Sequence, residues 1–394
     1  MSHMPLGFAL SVAEAGFKYK DRPDLALIVS QTPAAGAALF TTNLFQAAPI
    51  IVARSNMDKA KFFRAVLINA GQANACTGDK GIANCQQTLN ILAAQLGIKP
   101  EEILPASTGV IGDHLKMDLF EKYLPVLVRD SGKAIQEQAA QAIMTTDTFP
   151  KSASCDVRLS SGSARFWGMA KGAGMICPNM ATMLAFIFTD LKVDPKQWQH
   201  LVAKAVDKSF NALTIDGDTS TNDCVLALAN GASGVYLESS NDQDLIEGCL
   251  EELCAKLAYL IVKDAEGGTK VLRIKATGAA DKAQARMAAF TIGNSPLVKT
   301  AMYGQDPNWG RIIAALGRSG ARFDPDKVRV SLAGVEIFAH GCPVDMDRDK
   351  VFASLLNGPD IDIHVELNAG QEDFSLLASD LTEKYIEINA HYRT

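Results

Sequence analysis

The sequence predicts an α/β protein in which sheets are sandwiched between helices. Short apolar stretches bounded by proline, glycine and asparagine, typical of strands, alternate along the chain with stretches of helical spacing. Neither a low-complexity linker nor a repeat of fixed period interrupts the alternation. With 394 residues, 48% hydrophobic and 21% charged, the chain has room for one large α/β unit or two to three domains. We expect layers around one main core, with a smaller subdomain over residues 285–394.

Composition and charge argue against several classes of protein. The net charge of −6 gives no electrostatic support to a nucleic-acid partner. The eight cysteines are scattered without a CxxC pair, and the six histidines complete no zinc pattern, so we expect no metal and reduced thiols in a cytoplasmic protein. No apolar run approaches the ~20 residues that span a bilayer, and we identify no signal peptide, so no membrane partner is expected.

The first part of the chain predicts strands at residues 25–30, 37–40, 50–54 and 65–69, each a short apolar run between turn-forming residues. The last of these strands leads into a loop of small polar residues. Apolar side chains then follow helical spacing from Ile82 to Leu96, and Gly97 marks the end of that helix.

Next come residues 104–106, an apolar run that leads into a predicted turn at 107–112. Two helical patterns follow, over about 117–129 and 132–144. The polar stretch 145–151 closes them, and strands are predicted across 153–169.

Residues 171–190 (KGAGMICPNMATMLAFIFTD) then deliver a threonine from a glycine- and proline-containing loop to the start of an apolar strand. A threonine hydroxyl is a weak nucleophile unless a base removes its proton. At a free N-terminus the threonine's own α-amine can serve as that base. It titrates near ~8 in model peptides, so a fraction of it is neutral at pH 7. Cleavage of the bond between Ala181 and Thr182 would release it. The alternative is that Thr182 is an ordinary strand residue.

The rest of the chain continues the alternation. Asp194 followed by Pro195 predicts a helix start, and a long buried helix over 245–261 is followed by a glycine stop at Gly267. The polar loop 216–223 lacks the glycine and glutamate of a calcium-binding loop, so a structured loop is expected instead. Two further expectations are a hairpin with strands 328–332 and 335–338, and a strand 360–367 with one buried and one wet face.

The motifs of this chain, in order, closely resemble those of the ornithine acetyltransferases, also called glutamate N-acetyltransferases. The resemblance spans nearly the whole chain and rests on the 171–190 stretch together with residues 16–18 (GFK), 40–43 (FTTN), 47–49 (AAP), 73–78 (ANACTG), 107–112 (STGVIG), 144–151 (MTTDTFPK), 216–223 (DGDTSTND), 264–268 (DAEGG), 293–300 (GNSPLVKT), 306–311 (DPNWGR) and 388–394 (INAHYRT). One departure is residues 69–74, NAGQAN, where the family usually has Asn-Ser-Gly-Asn-Ala-Asn.

The resemblance implies an N-terminal-nucleophile-type acyltransferase that cuts itself before Thr182. The products are an α chain of 1–181 and a β chain of 182–394. Thr108 and Gly109 match the family's oxyanion hole, and a hydroxyl with a backbone N–H suits a tetrahedral oxyanion. Taken alone, they would describe an ordinary turn.

The substrate residues implied by the resemblance are Thr145 or Thr148, Lys171, Thr182, Glu266, Asn389 and Thr394. Spacing does not decide between the first two. Without the family, Lys171 would be interpreted as a solvated surface charge.

The implied reaction transfers the acetyl group of N-acetylornithine to glutamate in two steps through an acetyl-Thr182 intermediate, in arginine biosynthesis. The resemblance implies no metal or redox cofactor. It leaves open whether acetyl-CoA also serves as a donor, and it implies an α2β2 heterotetramer. Two alternatives stand: an amidase or aminopeptidase that passes the acyl group to water, and an uncut binding protein.

Overall fold

The computed structural model of the protein describes residues 4–177, 183–352 and 354–391. These residues form two compact units. The first contains the described residues up to Asn211 and those of Asp218–Ile261, and the second contains Ala212–Gly217 and the described residues from Val262 onward. Each unit is built around its own sheet.

The strands of the described residues are, in chain order, β1 (Phe8–Ala13), β2 (Leu25–Phe40), β3 (Phe62–Gln72), β4 (Ile103–Val110), β5 (Lys151–Leu159), β6 (Gly162–Lys171), β7 (Leu184–Thr189), β8 (Leu213–Thr214), β9 (Cys224–Ala229), β10 (Val271–Ala279), β11 (Arg329–Leu332), β12 (Val335–Ala339), β13 (Cys342–Pro343), β14 (Asp360–Glu366) and β15 (Glu372–Ser379). The α-helices are α1 (Ala48–Lys59), α2 (Gly78–Leu96), α3 (Met117–Arg129), α4 (Gln136–Ala142), α5 (Pro195–Asp207), α6 (Ser240–Lys263), α7 (Lys282–Gly293), α8 (Pro296–Tyr303), α9 (Trp309–Gly317), α10 (Arg348–Phe352) and α11 (Glu383–His391).

The first unit is organised around a mixed sheet with the strand order β4-β3-β2-β9-β7-β6-β5, and β1 pairs with β2 beside this path. The pairs β3–β4 and β7–β9 are parallel, and the remaining pairs are antiparallel. Strands β7 and β9 are buried at every residue, as continuous apolar runs are when both faces of a sheet are covered.

Helices cover both faces of this sheet. On one face, the ring centroid of Phe166 lies 6.4 Å from that of Trp198 in α5, and Gly168 leaves the space that Leu257 of α6 fills. On the other face, Trp167 stacks on Phe188 with ring centroids 5.5 Å apart and joins the core that includes residues of α1 and α4. The predicted sandwich of a sheet between helices is therefore confirmed for this unit.

The second unit has a sheet of order β13-β12-β11-β14-β10-β15-β8. Its core joins α7, α8 and α9 to the buried side chains of β10, β14 and β15. Strand β14 alternates between buried and more exposed residues, so one face packs on this core and the other is more exposed.

Many local predictions are confirmed. Asp194 caps α5 by accepting hydrogen bonds from the N–H groups of Lys196 and Gln197. Gly97 follows α2 in the left-handed conformation with φ 67°. Strands β11 and β12 form the expected antiparallel hairpin, and β14 has the expected alternation.

Two local predictions are wrong. Residues 50–54 lie in α1, not in a strand, because a short apolar run after a proline also suits the first turns of a buried helix. Residues 107–110 continue β4 to Val110, so the predicted turn begins later in the chain.

The cysteines also differ from expectation. Cys155 of β5 and Cys249 of α6 form a disulfide within the first unit, with their Cα atoms 6.1 Å apart. That separation is ordinary for a disulfide. Among the helices of the described ranges, none combines the length and apolar character required to cross a membrane.

Candidate active site

Lys171, the last residue of β6, is buried beside Thr108 of β4. Its exposed fraction is 7%, and its Nζ donates a hydrogen bond to Thr108 Oγ1 at 3.5 Å. The interpretation of Lys171 as a solvated surface charge is therefore wrong. In the register of β6 and β7, Lys171 lies opposite Leu184, near the start of the strand that follows the predicted nucleophile.

Gly109 follows Thr108 in β4 and pairs with Gly71 of β3. Its φ of 130° lies in the region that favours glycine, and a Cβ there would overlap the backbone of Gly71. Only glycine therefore fits this position. The two predicted oxyanion-hole residues lie at the end of a strand and not in a turn, and a strand fixes their backbone more firmly.

Asp147 is the centre of a buried network that the sequence did not single out. Its Oδ1 accepts hydrogen bonds from Lys151 Nζ at 2.6 Å and from the N–H of Gly172 at 2.7 Å. Its Oδ2 accepts from the N–H of Thr145 at 2.9 Å. The side chains of Asp147 and Lys151 have no exposed surface.

Burial alone would raise the pKa of the Asp147 carboxyl, but the positive charges of Lys171 and Lys151 and the hydrogen bonds outweigh it. They lower the pKa to about 2. Asp147 is therefore ionised at neutral pH even though it is buried.

Thr145 and Thr148 lie in the loop between α4 and β5. Thr145 is half-buried, and Arg22 donates a hydrogen bond of 2.8 Å to the carbonyl of the preceding Met144. Thr148 is exposed. Both threonines stay candidates for the predicted substrate contact, and Thr145 is the one whose backbone the Asp147 network fixes.

Asn222 is a second residue that the sequence did not single out. It is buried, and its side-chain amide donates to the carbonyls of Ala73 at 2.6 Å and Ser107 at 2.8 Å. It belongs to the polar loop 216–223, for which a structured role was expected. Because Ser107 precedes Thr108, Asn222 ties this loop to the end of β4.

The sequence carries only a weak signal for the residues of these two networks. Asp147 and Lys151 are an acid and a base four residues apart in a polar stretch, and Asn222 is one of several polar residues in its loop. Neither pattern tells which side chain is buried, because burial here comes from strands distant in sequence.

Glu266 and Asn389 come together in the second unit. Asn389 of α11 donates its side-chain amide to Glu266 Oε2 at 2.8 Å. The C-terminal helix is held close by a second contact, in which Thr382 Oγ1 donates to the carbonyl of Gly267 at 2.6 Å. The structure thus joins two of the predicted substrate residues from distant parts of the sequence.

Three predicted site residues, Ala181, Thr182 and Thr394, lie outside the described residues. Within the described ranges, no group of three or more histidine, cysteine, aspartate or glutamate side chains is arranged to hold a metal ion. The side chains around Thr108 offer hydrogen-bond donors and one buried ammonium group. Such an arrangement can stabilise a negative charge on a reacting oxygen.

Known proteins match this chain over its whole length. It is 53% identical over 394 residues to the arginine biosynthesis bifunctional protein ArgJ of Nitratidesulfovibrio vulgaris, with 100% of both chains covered. It is 46% identical over 391 residues to the protein of the same name from Chlorobium chlorochromatii, with 99% of this chain and 91% of that protein covered.

A solved structure is also similar. The crystal structure of the arginine biosynthesis bifunctional protein argJ from Bacillus halodurans matches with a TM-score of 0.51 and 35% identity, over 54% of this chain and 100% of that chain. The likeness confirms the predicted fold class. The sequence profile of the ArgJ family matches residues 9–394. The chain therefore belongs to the ArgJ family.

Proposed function

We propose that the protein transfers the acetyl group of N2-acetyl-L-ornithine to the α-amine of L-glutamate, through an ester on the hydroxyl of Thr182. The observation that carries the proposal is the buried hydrogen bond from Lys171, which lies opposite Leu184 at the start of β7, to Thr108. The predicted nucleophile lies two residues before Leu184 in sequence, and the pair supplies positive charge and a hydroxyl donor to that end of the strand. Membership of a family whose members are named for arginine biosynthesis supports the substrate class.

The proposed nucleophile is produced by self-cleavage. The Thr182 hydroxyl attacks the Ala181 carbonyl carbon, the acyl group moves from nitrogen to oxygen, and water hydrolyses the ester. This leaves the free α-amine of Thr182 as the base. The similar chain from Bacillus halodurans supports the cut, because its whole length matches only 54% of this chain, and residues 182–394 make up a similar share.

In the first half-reaction the Thr182 hydroxyl attacks the acetyl carbonyl and its proton passes to the α-amine. The oxyanion accepts hydrogen bonds from the Thr108 hydroxyl and the Gly109 N–H. Since an ammonium group can only donate, the Lys171 contact makes Thr108 Oγ1 an acceptor and leaves its hydrogen for the oxyanion. Collapse of the intermediate expels ornithine, whose nitrogen takes the proton from the α-amine.

In the second half-reaction the neutral amine of glutamate attacks the acetyl-Thr182 ester. The Thr182 oxygen leaves and regains a proton, and N-acetylglutamate is released. We assign Lys171 to a substrate carboxylate, and Glu266, Asn389 and Thr394 to the amino-acid part of the substrate. Thr145 or Thr148 provides a further contact.

Four further features belong to the proposal. Acetyl-CoA serves as a second donor, which the word "bifunctional" in the names of the relatives supports. No metal or redox cofactor takes part. The two products of cleavage stay together as an α2β2 heterotetramer, and the protein acts in the cytoplasm, as the biosynthetic names of the relatives suggest.

Glutamate dependence tests the reaction. Ornithine release from N-acetylornithine is measured with and without glutamate, and N-acetylglutamate is quantified by mass spectrometry. A transferase releases ornithine continuously only when glutamate is present. Release at the same rate without glutamate would instead identify the hydrolase alternative. Acetyl-CoA in place of N-acetylornithine tests the second donor.

A reducing denaturing gel with mass spectrometry tests the cut. The wild type should give two fragments, with the second beginning at Thr182. Thr182→Ala should remain at 42.1 kDa and be inactive. Thr182→Ser retains a hydroxyl nucleophile and is the matched control, which should still be cut. An active wild type that remains a single band would contradict self-cleavage.

A further inference from the structure

Three backbone and side-chain donors converge on the carboxylate of Asp147. They are Lys151 Nζ, the N–H of Gly172 and the N–H of Thr145. Gly172 directly follows Lys171, and Thr145 is a predicted substrate residue. One carboxylate thus joins the end of β6 to the loop between α4 and β5, although 25 residues separate Gly172 from Asp147.

Two buried ammonium groups act on the Asp147 carboxylate. Lys151 and Lys171 are both buried, with exposed fractions of 0% and 7%, and Asp147 forms an ion pair with Lys151. The positive charges of both lysines act on the Asp147 carboxyl and favour its ionised form.

The carboxylate therefore has two effects. It offsets positive charge of the two buried lysines, and it fixes the backbone on either side of the site. An asparagine could not replace it. Its amide is neutral, and it has one acceptor oxygen, whereas Asp147 accepts backbone hydrogen bonds with both of its oxygens.

We propose that Asp147 is a positioning residue for the acyl-transfer site, holding the backbone of Gly172 and Thr145 and setting the charge beside Lys171. The proposal rests on the proposed function for its effect on turnover. Its effect on the backbone stands independently, since the hydrogen bonds to Gly172 and Thr145 do not depend on the reaction.

The test compares four variants with the wild type. Asp147→Asn removes the charge and one of the backbone acceptors. The double variant Asp147→Asn/Lys151→Met removes both charges of the buried ion pair, and Lys151→Met is its parent. Asp156→Asn is the matched control, because Asp156 forms a more exposed ion pair with Arg165 on the same strand pair.

The first readout is amide hydrogen exchange of the peptides that contain Thr145 and Gly172. We expect it to accelerate about ten-fold or more in Asp147→Asn relative to wild type, and in the double variant relative to Lys151→Met. Asp156→Asn should exchange as the wild type does. Unchanged exchange in the folded double variant would overturn the proposal, even if the enzyme had no acetyltransferase activity.

The second readout separates kcat from KM in ornithine release. Loss of positioning should lower kcat about ten-fold or more in each Asp147 variant relative to its parent, and should slow the appearance of the cleaved fragments. A kcat equal to that of the parent would overturn the positioning role. A wild type that releases no ornithine would instead refute the proposed function. Hydrogen exchange would still test whether Asp147 fixes the backbone of Thr145 and Gly172.

Discussion

The side-chain amide of Asn389 donates a hydrogen bond of 2.8 Å to Glu266, although 123 residues separate the two in sequence. The same amide also donates to the carbonyl of Tyr385 at 3.1 Å, so it is held on its own helix. Asn389 therefore restrains the Glu266 carboxylate. A carboxylate held in one orientation loses less side-chain freedom when it binds a substrate ammonium group.

The first prediction concerns this restraint. Asn389→Ala should raise KM for N-acetylornithine about five- to ten-fold, because a hydrogen bond to a charged group is worth about 1.5 kcal/mol when made fully. Asn389→Asp should raise it further, since two carboxylates would then repel each other. Steady-state kinetics of ornithine release measure both effects.

Lys384→Ala is the matched control for α11. Lys384 pairs with Glu387 on the same helix, and both side chains are more than half exposed. Such surface pairs contribute little, so KM should stay within about two-fold of the wild-type value. Equal KM values for Asn389→Ala and Lys384→Ala would contradict the role of Asn389.

The second prediction concerns the close approach of β3 and β4. Gly109→Ala should destabilise the protein by about 3 kcal/mol or more and prevent cleavage, because the added methyl group would overlap the Gly71 backbone. Gly112→Ala is the control: its φ is also positive, at 90°, but nothing lies within 4 Å of the added Cβ. It should cost about 1–2 kcal/mol. Urea unfolding and a reducing gel compare them, and similar behaviour of both variants would contradict the packing argument.

The third prediction concerns Asn222. Asn222→Ala leaves the buried carbonyls of Ala73 and Ser107 without this donor, which should cost about 2–4 kcal/mol. It should also lower kcat, since Ser107 adjoins Thr108. Asn43→Ala removes a bond donated to the Thr219 carbonyl at 3.1 Å and one accepted from the N–H of Phe45 at 2.9 Å. Both lie at less buried positions, so the change should cost about 1 kcal/mol. An Asn222 variant as stable and active as the Asn43 variant would refute the role.

Local patterns could predict much of the fold from the sequence. The start of α5 at Asp194 and the hairpin of β11 and β12 depend on capping and turn chemistry between near neighbours. The strand prediction for residues 50–54 failed for the opposite reason. A run of that length suits a strand or a buried helix equally, and only packing against distant strands selects α1.

The candidate site was predictable in its residue types but not in its connections. The motifs marked Thr108 and Lys171, yet nothing in the sequence indicates that the two side chains meet, because β4 and β6 are separated by four other strands in the sheet order. The network around Asp147 depends on the pairing of β5 with β6. Spacing along a chain carries no information about which distant strand is adjacent, so the buried charges could not be paired from sequence.

The fourth prediction follows from where the disulfide lies relative to the proposed cut. Cys155 precedes Thr182 and Cys249 follows it, so the disulfide would link the two cleavage products covalently. A non-reducing gel of oxidised protein should therefore show one band near 42.1 kDa, and a reducing gel should show two. Cys155→Ser should give two bands in both gels. The exposed Cys342 provides the control, since Cys342→Ser should behave as the wild type. Two bands from the oxidised wild type without reductant would contradict the link.

The last prediction concerns the pH dependence of stability through Lys299. This lysine of α8 is buried, and its ammonium group donates to the carbonyl of Ile215 at 2.7 Å and to Ser379. Burial lowers its pKa from 10.5 to about 8, although the charges of Asp380 and Asp216 oppose that change. Between about pH 8 and 10.5 the unfolded chain therefore binds more protons at this residue than the folded protein, so stability should rise with pH across that window.

Comparison with Lys299→Met isolates this contribution from other titrating groups. The free energy of unfolding of the wild type minus that of the variant should increase by up to about 3 kcal/mol between pH 7.5 and pH 10.5. Below about pH 8 the buried ammonium group of Lys299 is charged and destabilises the folded wild type. The methionine of the variant carries no charge, but it also makes none of the hydrogen bonds of Lys299. Lys196→Met, at an exposed position of α5, is the matched control for the loss of a lysine. Urea unfolding curves at several pH values measure both, and parallel curves for wild type and Lys299→Met would show that Lys299 titrates alike in the folded and unfolded chains.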